Sequence, residues 1–524
     1  MPITRPDPVS LERWLRRSAC GISAFFLLFF VYVALRRLRY PFELDRMESG
    51  MMTSVWRLAH GQALYSPPSM EWVPFLYAPL YFYLSLGMAK VMGLGFGALR
   101  MVSILSTVVS FGAIYALVAR ETGRKSAGLA AAGLFACLYS FSLGWYDVGR
   151  VDSLSVALLL LALYATRWGN PIFAALLWLL AFHAKQTLLP IGLLAFAANW
   201  QQPRRMLLGM ASFAAMAVGS VVWLNHATGG WYGRYAFGTT QQLGLIPRVA
   251  ALYIPVDLVG PLPVLATLLL VALMVAPPRR RSQAASFYGL MTLLVLGAVG
   301  FVRAHDGANI NAVIPAYAWL AVLGGVAIAR ILTWLDEQVA AGAIASDAAR
   351  LAAAGVWLAI CLQLVGHIYQ PAKWIPASGQ LADRNALLVD VKAAPGDVWL
   401  LNHSYDGIVA GKPIHPEMDA LDAILSRPYP PTLAEFNRMI AERHFSAILM
   451  DRAAESYSPE GAFTSAAFQA AYPLRAAASG AGAPDQPVMT YLPCAALDRA
   501  DPPFHLAENS PDESRCPPRA GAAR

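Results

Sequence analysis

Apolar stretches of close to membrane-spanning length recur along most of this chain, and they restrict its fold more than any other feature. The first runs from Arg17 to Leu35, and others centre near residues 109, 135, 160, 178, 194, 215, 266, 292, 323 and 360. A helix of about 20 apolar residues crosses a bilayer core, with somewhat fewer needed where the bilayer thins. The expected fold class is therefore mainly α: a polytopic helical membrane protein with about eleven transmembrane helices and a small C-terminal soluble α/β domain. The first run lacks a small-x-small cleavage site and continues into Arg36 and Arg37, so it reads as a retained helix and not a signal peptide. Charged residues make up only 14% of the chain, and the net charge of +8 fits a cytoplasmic Lys/Arg bias and anionic lipid better than nucleic-acid binding.

Those charges orient the spans. With the N-terminus inside, Arg13, Arg16 and Arg17, then Arg120, Arg124 and Lys125, Arg167, Arg204 and Arg205, and Arg279 to Arg281 all fall on the cytoplasmic side. Arg36, Arg37 and Arg39 are the exception. The aromatic and proline-rich stretch from Trp72 to Gly93 is expected to lie along the outer surface as a juxtamembrane helix, with Lys90 and Arg100 near head groups. Pro171 to Trp200 is expected to form two short helices with Lys185 at their outer tip. A Lys at the bilayer centre costs about 2.5 to 3.5 kcal/mol on insertion scales, and the split avoids burying one.

Three regions follow: a transmembrane domain over 1–370 with a first outer loop at 36–98, an extracytoplasmic α/β domain over 371–480, and a loosely ordered tail over 481–524. In the second region Val398 to Leu401 and Phe445 to Met450 read as buried strands, and Thr432-x-x-Glu435 as a capping box opening a helix. Cys20, Cys137 and Cys361 read as apolar fillers, whereas Cys494 and Cys516 could pair in an oxidising compartment. The chain has no GxGxxG, Walker or HExxH motif, which argues against nucleotide-dependent and zinc-protease chemistry.

The topology gathers unusual polar residues on the outer face. The first loop supplies Glu43, Asp45 and Glu48; later loops supply Arg150 and Asp152, Lys185 and Gln186, Trp231 to Tyr235 including Arg234, and His305 to Asn311. Together with Gly61-Gln-Ala-Leu-Tyr65, Tyr77-Ala-Pro-Leu-Tyr81 and Gly149-Arg-Val-Asp152, this order resembles the GT-C superfamily of membrane glycosyltransferases over about residues 15 to 335. The similarity is to bacterial protein O-mannosyltransferase and aminoarabinose-transferase types, as in glycosyltransferase family 39.

The resemblance implies transfer of a sugar from a polyprenyl-phosphate donor to a lipid, glycan or protein acceptor at the outer face of a bacterial inner membrane. A carboxylate takes the acceptor's proton in an inverting displacement. Glu48 is the first expectation for that base and Asp45 the second, because the family usually carries Asp-Glu where this chain has Met47-Glu48. Lys185, with Arg150 or Arg234, is expected to meet the leaving phosphate, and Asp152 to orient the acceptor or hold Arg150. Gln186 and His305 complete the expected substrate-contacting set. No cofactor is expected and the reaction reads as metal-independent, although the acids could hold a divalent ion.

Plainer readings stand beside these: Glu43 and Asp45 as partners of Arg39 and Arg46, Arg150 and Asp152 as a structural pair, Lys185 snorkelling to head groups, and His305 as an interfacial residue. A transporter or lipid flippase is the alternative function. Such proteins carry internal repeats and mid-membrane charge, neither of which is evident here. A membrane scaffold presenting the outer domain leaves the convergent loops unexplained.

Overall fold

A computed structural model of the chain describes residues 7–238, 244–275, 283–418, 420–421, 429–450, 466–472, 474–478 and 488–491. Cys494, Cys516 and most of the expected tail lie outside these residues. The helices of the first half are α1 (Pro8–Leu38), α2 (Arg46–Ala59), α3 (Leu80–Met92), α4 (Phe96–Thr122), α5 (Lys125–Cys137), α6 (Val151–Trp168), α7 (Pro171–Ala184), α8 (Leu189–Ala195) and α9 (Pro203–Ala227). After them come the single turn α10 (Trp231–Gly233), then α11 (Pro247–Leu252), α12 (Pro263–Met274), α13 (Gln283–Arg303), α14 (Ile314–Ala340) and α15 (Ser346–Val365).

Local chemistry sets several of these boundaries. Asp7 caps α1 by accepting from the Ser10 N–H, with Pro8 opening the helix where no N–H is needed. Asn170 and Pro171 do the same for α7. At the other end of α7, Lys185 takes an extended conformation (φ −152°, ψ 112°), so the helix stops there and resumes after one tight turn. This is the break expected at Lys185.

Among the described residues, seven helices are long and apolar enough to cross a membrane. The pair Pro247–Val259 and Pro263–Met274, bent by 89°, would make an eighth if it is one span. Shorter apolar helices occupy Lys125–Cys137, Pro171–Ala184 and Gln186–Asn199, so each expected centre falls on a helix or a helical pair.

Helices joined by short connections alternate in direction, and their charges sort to the two ends of the bundle. At the end where α1 finishes lie the pairs Arg37–Asp147, Arg100–Glu48, Arg150–Asp45 and Lys185–Asp152. At the opposite end lie Arg124–Asp336, Arg167–Glu121 and Arg350–Glu12. Arg37, the exception to the charge bias, is a buried structural cation: it donates to Asp147 Oδ1 at 2.5 Å, to the Gly144 carbonyl at 2.8 Å and to the Tyr139 hydroxyl.

α3 is 13 residues, about 20 Å long, which is shorter than a bilayer core of about 30 Å. It returns the chain to the end at which it left α1. The proof is Arg100, near the start of α4, whose guanidinium donates to the carbonyls of Arg37, Tyr40 and Phe42 just past α1. Lys90 is exposed as expected, but Arg100 is wholly buried and serves as an internal tie.

Beyond α15, α16 (Ser378–Ala393) leads into a four-stranded sheet ordered β1-β2-β4-β3, with β1 Asp397–Leu400, β2 Phe445–Met450, β3 Leu474–Ala478 and β4 Val488–Tyr491. β1 and β2 are parallel and the other pairs antiparallel. A parallel pair needs a long crossover, here containing α17 (Ser404–Val409) and the helix Pro430–Ala441. Thr432 and Glu435 do not form the expected capping box. Thr432 Oγ1 donates to the Pro68 carbonyl at 2.7 Å and Glu435 Oε2 accepts from the Met70 N–H at 3.1 Å, so both staple this domain to the first loop.

Candidate active site

The site is assembled around α2. Asp45 caps this helix by accepting from the Met47 N–H at 3.2 Å, and Glu48, in the first turn, reaches back to the Leu44 N–H at 2.7 Å. The pattern Asp45-x-x-Glu48 thus works as a near relative of a capping box. Glu48 has no exposed surface. Its Oε1 accepts from Arg100 Nε at 2.8 Å and the Gly149 N–H at 2.6 Å, and its Oε2 from Arg100 at 2.7 Å as well as from Leu44. Four donors on two oxygens leave little room for a substrate proton. A Cβ at Gly149 would lie 2.9 Å from Glu48 Oε1 and from Leu99 Cβ, so a glycine is required for this close approach.

Asp45 is differently placed. Its side chain keeps 13% exposure, and Oδ1 accepts from Arg150 at 2.7 Å. Arg150, backed by the ring of Trp145 at 4.9 Å, also approaches Asp152 at 3.3 Å. Asp152 accepts in turn from Lys185 Nζ at 2.6 Å and from Asn311 Nδ2 at 3.2 Å. The result is an alternating row, Asp45, Arg150, Asp152 and Lys185, contributed by the start of α2, the start of α6 and the end of α7. The antiparallel packing of α6 on α7 brings Asp152 and Lys185 to the same end.

Of the remaining candidates, Gln186 donates to the carbonyls of Leu76 and Ala236, tying the first loop to the segment after α10. Arg234 lies 5.3 Å from the ring centres of both Trp231 and Tyr429. His305 Nδ1 bonds the Phe301 carbonyl one turn back at 2.7 Å. Arg100 was not among the expected site residues, and Asn311 entered only as the end of the His305–Asn311 loop, without a role of its own. A cation four residues into an apolar helix and an Asn just before a span were the available signals.

Glu43 does not pair with Arg39 or Arg46 as the plain reading expects. It meets Arg384 of α16 at 2.5 Å and His403, and Arg384 also holds Asp406 of α17. Burial alone would raise the Glu43 carboxyl, but Arg384 and His403 outweigh it and hold it at about 2. Burial raises Asp406 to about 6, with Arg384 opposing and the Glu43 charge adding to the rise.

The signs differ. Asp406, raised above its ordinary 3.8, contributes stability that is full at low pH and is lost as pH climbs through about 6. Glu43, lowered from its ordinary 4.5, contributes stability that is full above that value and fades only as pH falls towards 2. From about pH 5 to about pH 7.5, thermal stability of the whole protein should therefore fall by on the order of 1 kcal/mol through Asp406. Melting curves of wild type and Asp406→Asn across this range check the point, since the variant should lose most of the dependence.

Among the described residues no three His, Cys, Asp or Glu side chains come together as a metal-holding group. No family model matches the chain, and no curated protein matches it in sequence. Solved structures do match. ArnT from Cupriavidus metallidurans bound to undecaprenyl phosphate aligns over 90% of this chain and 98% of its own, with 14% identity and a TM-score of 0.55. The same protein in its apo state aligns over the same shares with 12% identity and a TM-score of 0.54. An oligosaccharyltransferase from Archaeoglobus fulgidus in complex with Zn and sulfate aligns over 90% of this chain and 73% of its own, with 13% identity and a TM-score of 0.50. At such identities the likeness is one of architecture, and the chain has the fold of the GT-C membrane glycosyltransferases.

Proposed function

We propose that this protein transfers a sugar from a polyprenyl-phosphate donor to an acceptor hydroxyl or amine at the membrane face where the first loop and the C-terminal domain meet, the extracytoplasmic side of a bacterial inner membrane. The observation that carries this reading is the row of Asp45, Arg150, Asp152 and Lys185 at one end of a GT-C fold. ArnT, of the same fold, is described bound to a polyprenyl phosphate.

Asp45 is the base in this reading. It takes the acceptor's proton as the acceptor atom bonds to the anomeric carbon, the bond from that carbon to the phosphate oxygen breaks with its electrons, and configuration inverts. Lys185 and Arg150 meet the charge that grows on the departing phosphate, and Asp152 holds both cations in place before the donor arrives. Glu48 acts on the loop and not on the substrate, since its bonds to Arg100, Leu44 and Gly149 fix the segment that carries Asp45.

Donor binding tests this without knowledge of the sugar. Polyprenyl phosphate should bind wild-type protein in nanodiscs and bind Lys185→Met about tenfold more weakly, the loss expected of one charge-assisted bond. Equal affinities would remove Lys185 from the donor site. Since the chain's own cations are assigned to the leaving phosphate, treatment with a chelator should leave the transfer rate unchanged within about twofold. A chelator-sensitive rate restored by a divalent ion would overturn that assignment.

A further inference from the structure

At the opposite end of the bundle from Asp45 lies a cavity of about 260 Å³ that the proposed reaction does not use. This is below the usual range of about 300–1,000 Å³ for a whole organic ligand, so it suits a head group. One wall is apolar, formed by Leu332, Leu335, Val339 and Trp357. The rim carries Arg16, Arg124 and Arg350 against Glu12 and Asp336.

The arginines are arranged to accept an anion. Glu12 is buried and stands 3.7 Å from Arg16 and 3.6 Å from Arg350, beyond hydrogen-bond reach of either, so it positions both guanidinium groups without saturating their donors. Their side chains retain 43% and 47% exposure. Of the three arginines only Arg124 is closely held among the described residues, by Asp336 at 2.7 Å.

Two further features point the same way. α5 and α15 both begin at this cavity, which Ser126 and Ser346 of their first turns line, and neither helix has a side-chain cap on its first N–H groups. Each helix start adds about half a positive charge, and Lys125 and Asp347 in the two first turns offset each other, so the local balance is about +2. Trp357 is fully buried at the cavity wall, and its indole N–H has no acceptor among the described residues.

We infer that this cavity binds a phosphate group, presented by an anionic lipid head group or as free phosphate, with Arg16 and Arg350 as its principal donors. An apolar wall beside a cationic rim matches an amphiphile, and the Lys/Arg distribution along the chain places this end at the cytoplasmic leaflet, where anionic lipids are concentrated. The site is separate from the sugar-transfer reading and does not depend on it.

The test uses the full-length protein, wild type and Arg16→Gln/Arg350→Gln, in detergent and in phosphatidylcholine nanodiscs with or without phosphatidylglycerol. Native mass spectrometry should show phosphatidylglycerol retained over phosphatidylcholine by wild type, with about tenfold less retention in the double variant. Thermal stabilisation of wild type but not the variant by inorganic phosphate, without a lipid preference, would support the site with free phosphate as its source. Trp357→Phe, which keeps an aromatic ring and removes the N–H, should weaken the same binding about threefold and guards against misfolding of the double variant. If neither phosphatidylglycerol nor phosphate distinguishes wild type from the variants, the inference is wrong.

Discussion

Replacing Asp45 with Asn is expected to reduce sugar transfer by about 10²–10⁴-fold, the usual contribution of a positioned general base, while leaving the protein folded. The structural role of Asp45 is the N-cap of α2, where it accepts from the Met47 N–H. Asn caps a helix about as well as Asp. Arg150 would lose its close partner but retain Asp152 at 3.3 Å. The substitution thus removes proton-accepting ability and the negative charge beside Arg150, while the Asn amide oxygen can still accept from that guanidinium. Matched unfolding curves with a collapsed transfer rate are the expected pair of results, and a rate within about threefold of wild type would exclude Asp45 as the base.

Glu48→Gln should behave in the opposite way. Glu48 and Arg100 form an ion pair with 0% exposure on both side chains. Neutralising one partner leaves a buried guanidinium uncompensated, which costs about 3–5 kcal/mol. The Gln amide would also point a donor at positions where Arg100, Leu44 and Gly149 all donate. Low yield and a lowered melting temperature are expected, with the surviving folded protein turning over within about tenfold of wild type. Arg100→Gln should show the same phenotype, because the two residues form one unit. Full stability with abolished transfer would instead return Glu48 to the role of base.

These two variants mark the limit of what could be read from the chain. The apolar stretches located the long helices of the bundle, because a bilayer allows few alternatives to a helix for such stretches, but not α2, which falls inside the expected first outer loop. The insertion cost of a lone Lys placed the break at Lys185, and the antiparallel packing of α6 on α7 brings Arg150, Asp152 and Lys185 to one end. Partner choice was not legible. Glu43, Asp45 and Glu48 look equivalent in sequence, yet Glu43 is claimed by Arg384 some 341 residues away, Glu48 by Arg100, and Asp45 by Arg150. Such pairings depend on side-chain direction after the loop has folded, which spacing does not encode. The same holds for Thr432 and Glu435, whose local pattern suggests a cap but whose bonds go to the first loop.

The C-terminal domain is therefore part of the site's architecture and not an appendage. Tyr405 N–H donates to Ser49 Oγ at 2.9 Å, Thr53 and Ser404 share a hydrogen bond at 3.0 Å, and His415 Nδ1 lies 2.8 Å from the Met70 carbonyl. Together with the Glu43 cluster these contacts press the domain against α2, the helix that begins at Asp45.

The most direct measurement is release of polyprenyl phosphate from a labelled polyprenyl-phosphate sugar by purified protein in nanodiscs, supplied with lipid, glycan and peptide acceptors in turn. Wild type should release the carrier as the label moves to one acceptor class, and folded Asp45→Asn should release it at about 1% of that rate or less. No release with any donor and acceptor, or equal release by the Asp45 variant, would contradict the account.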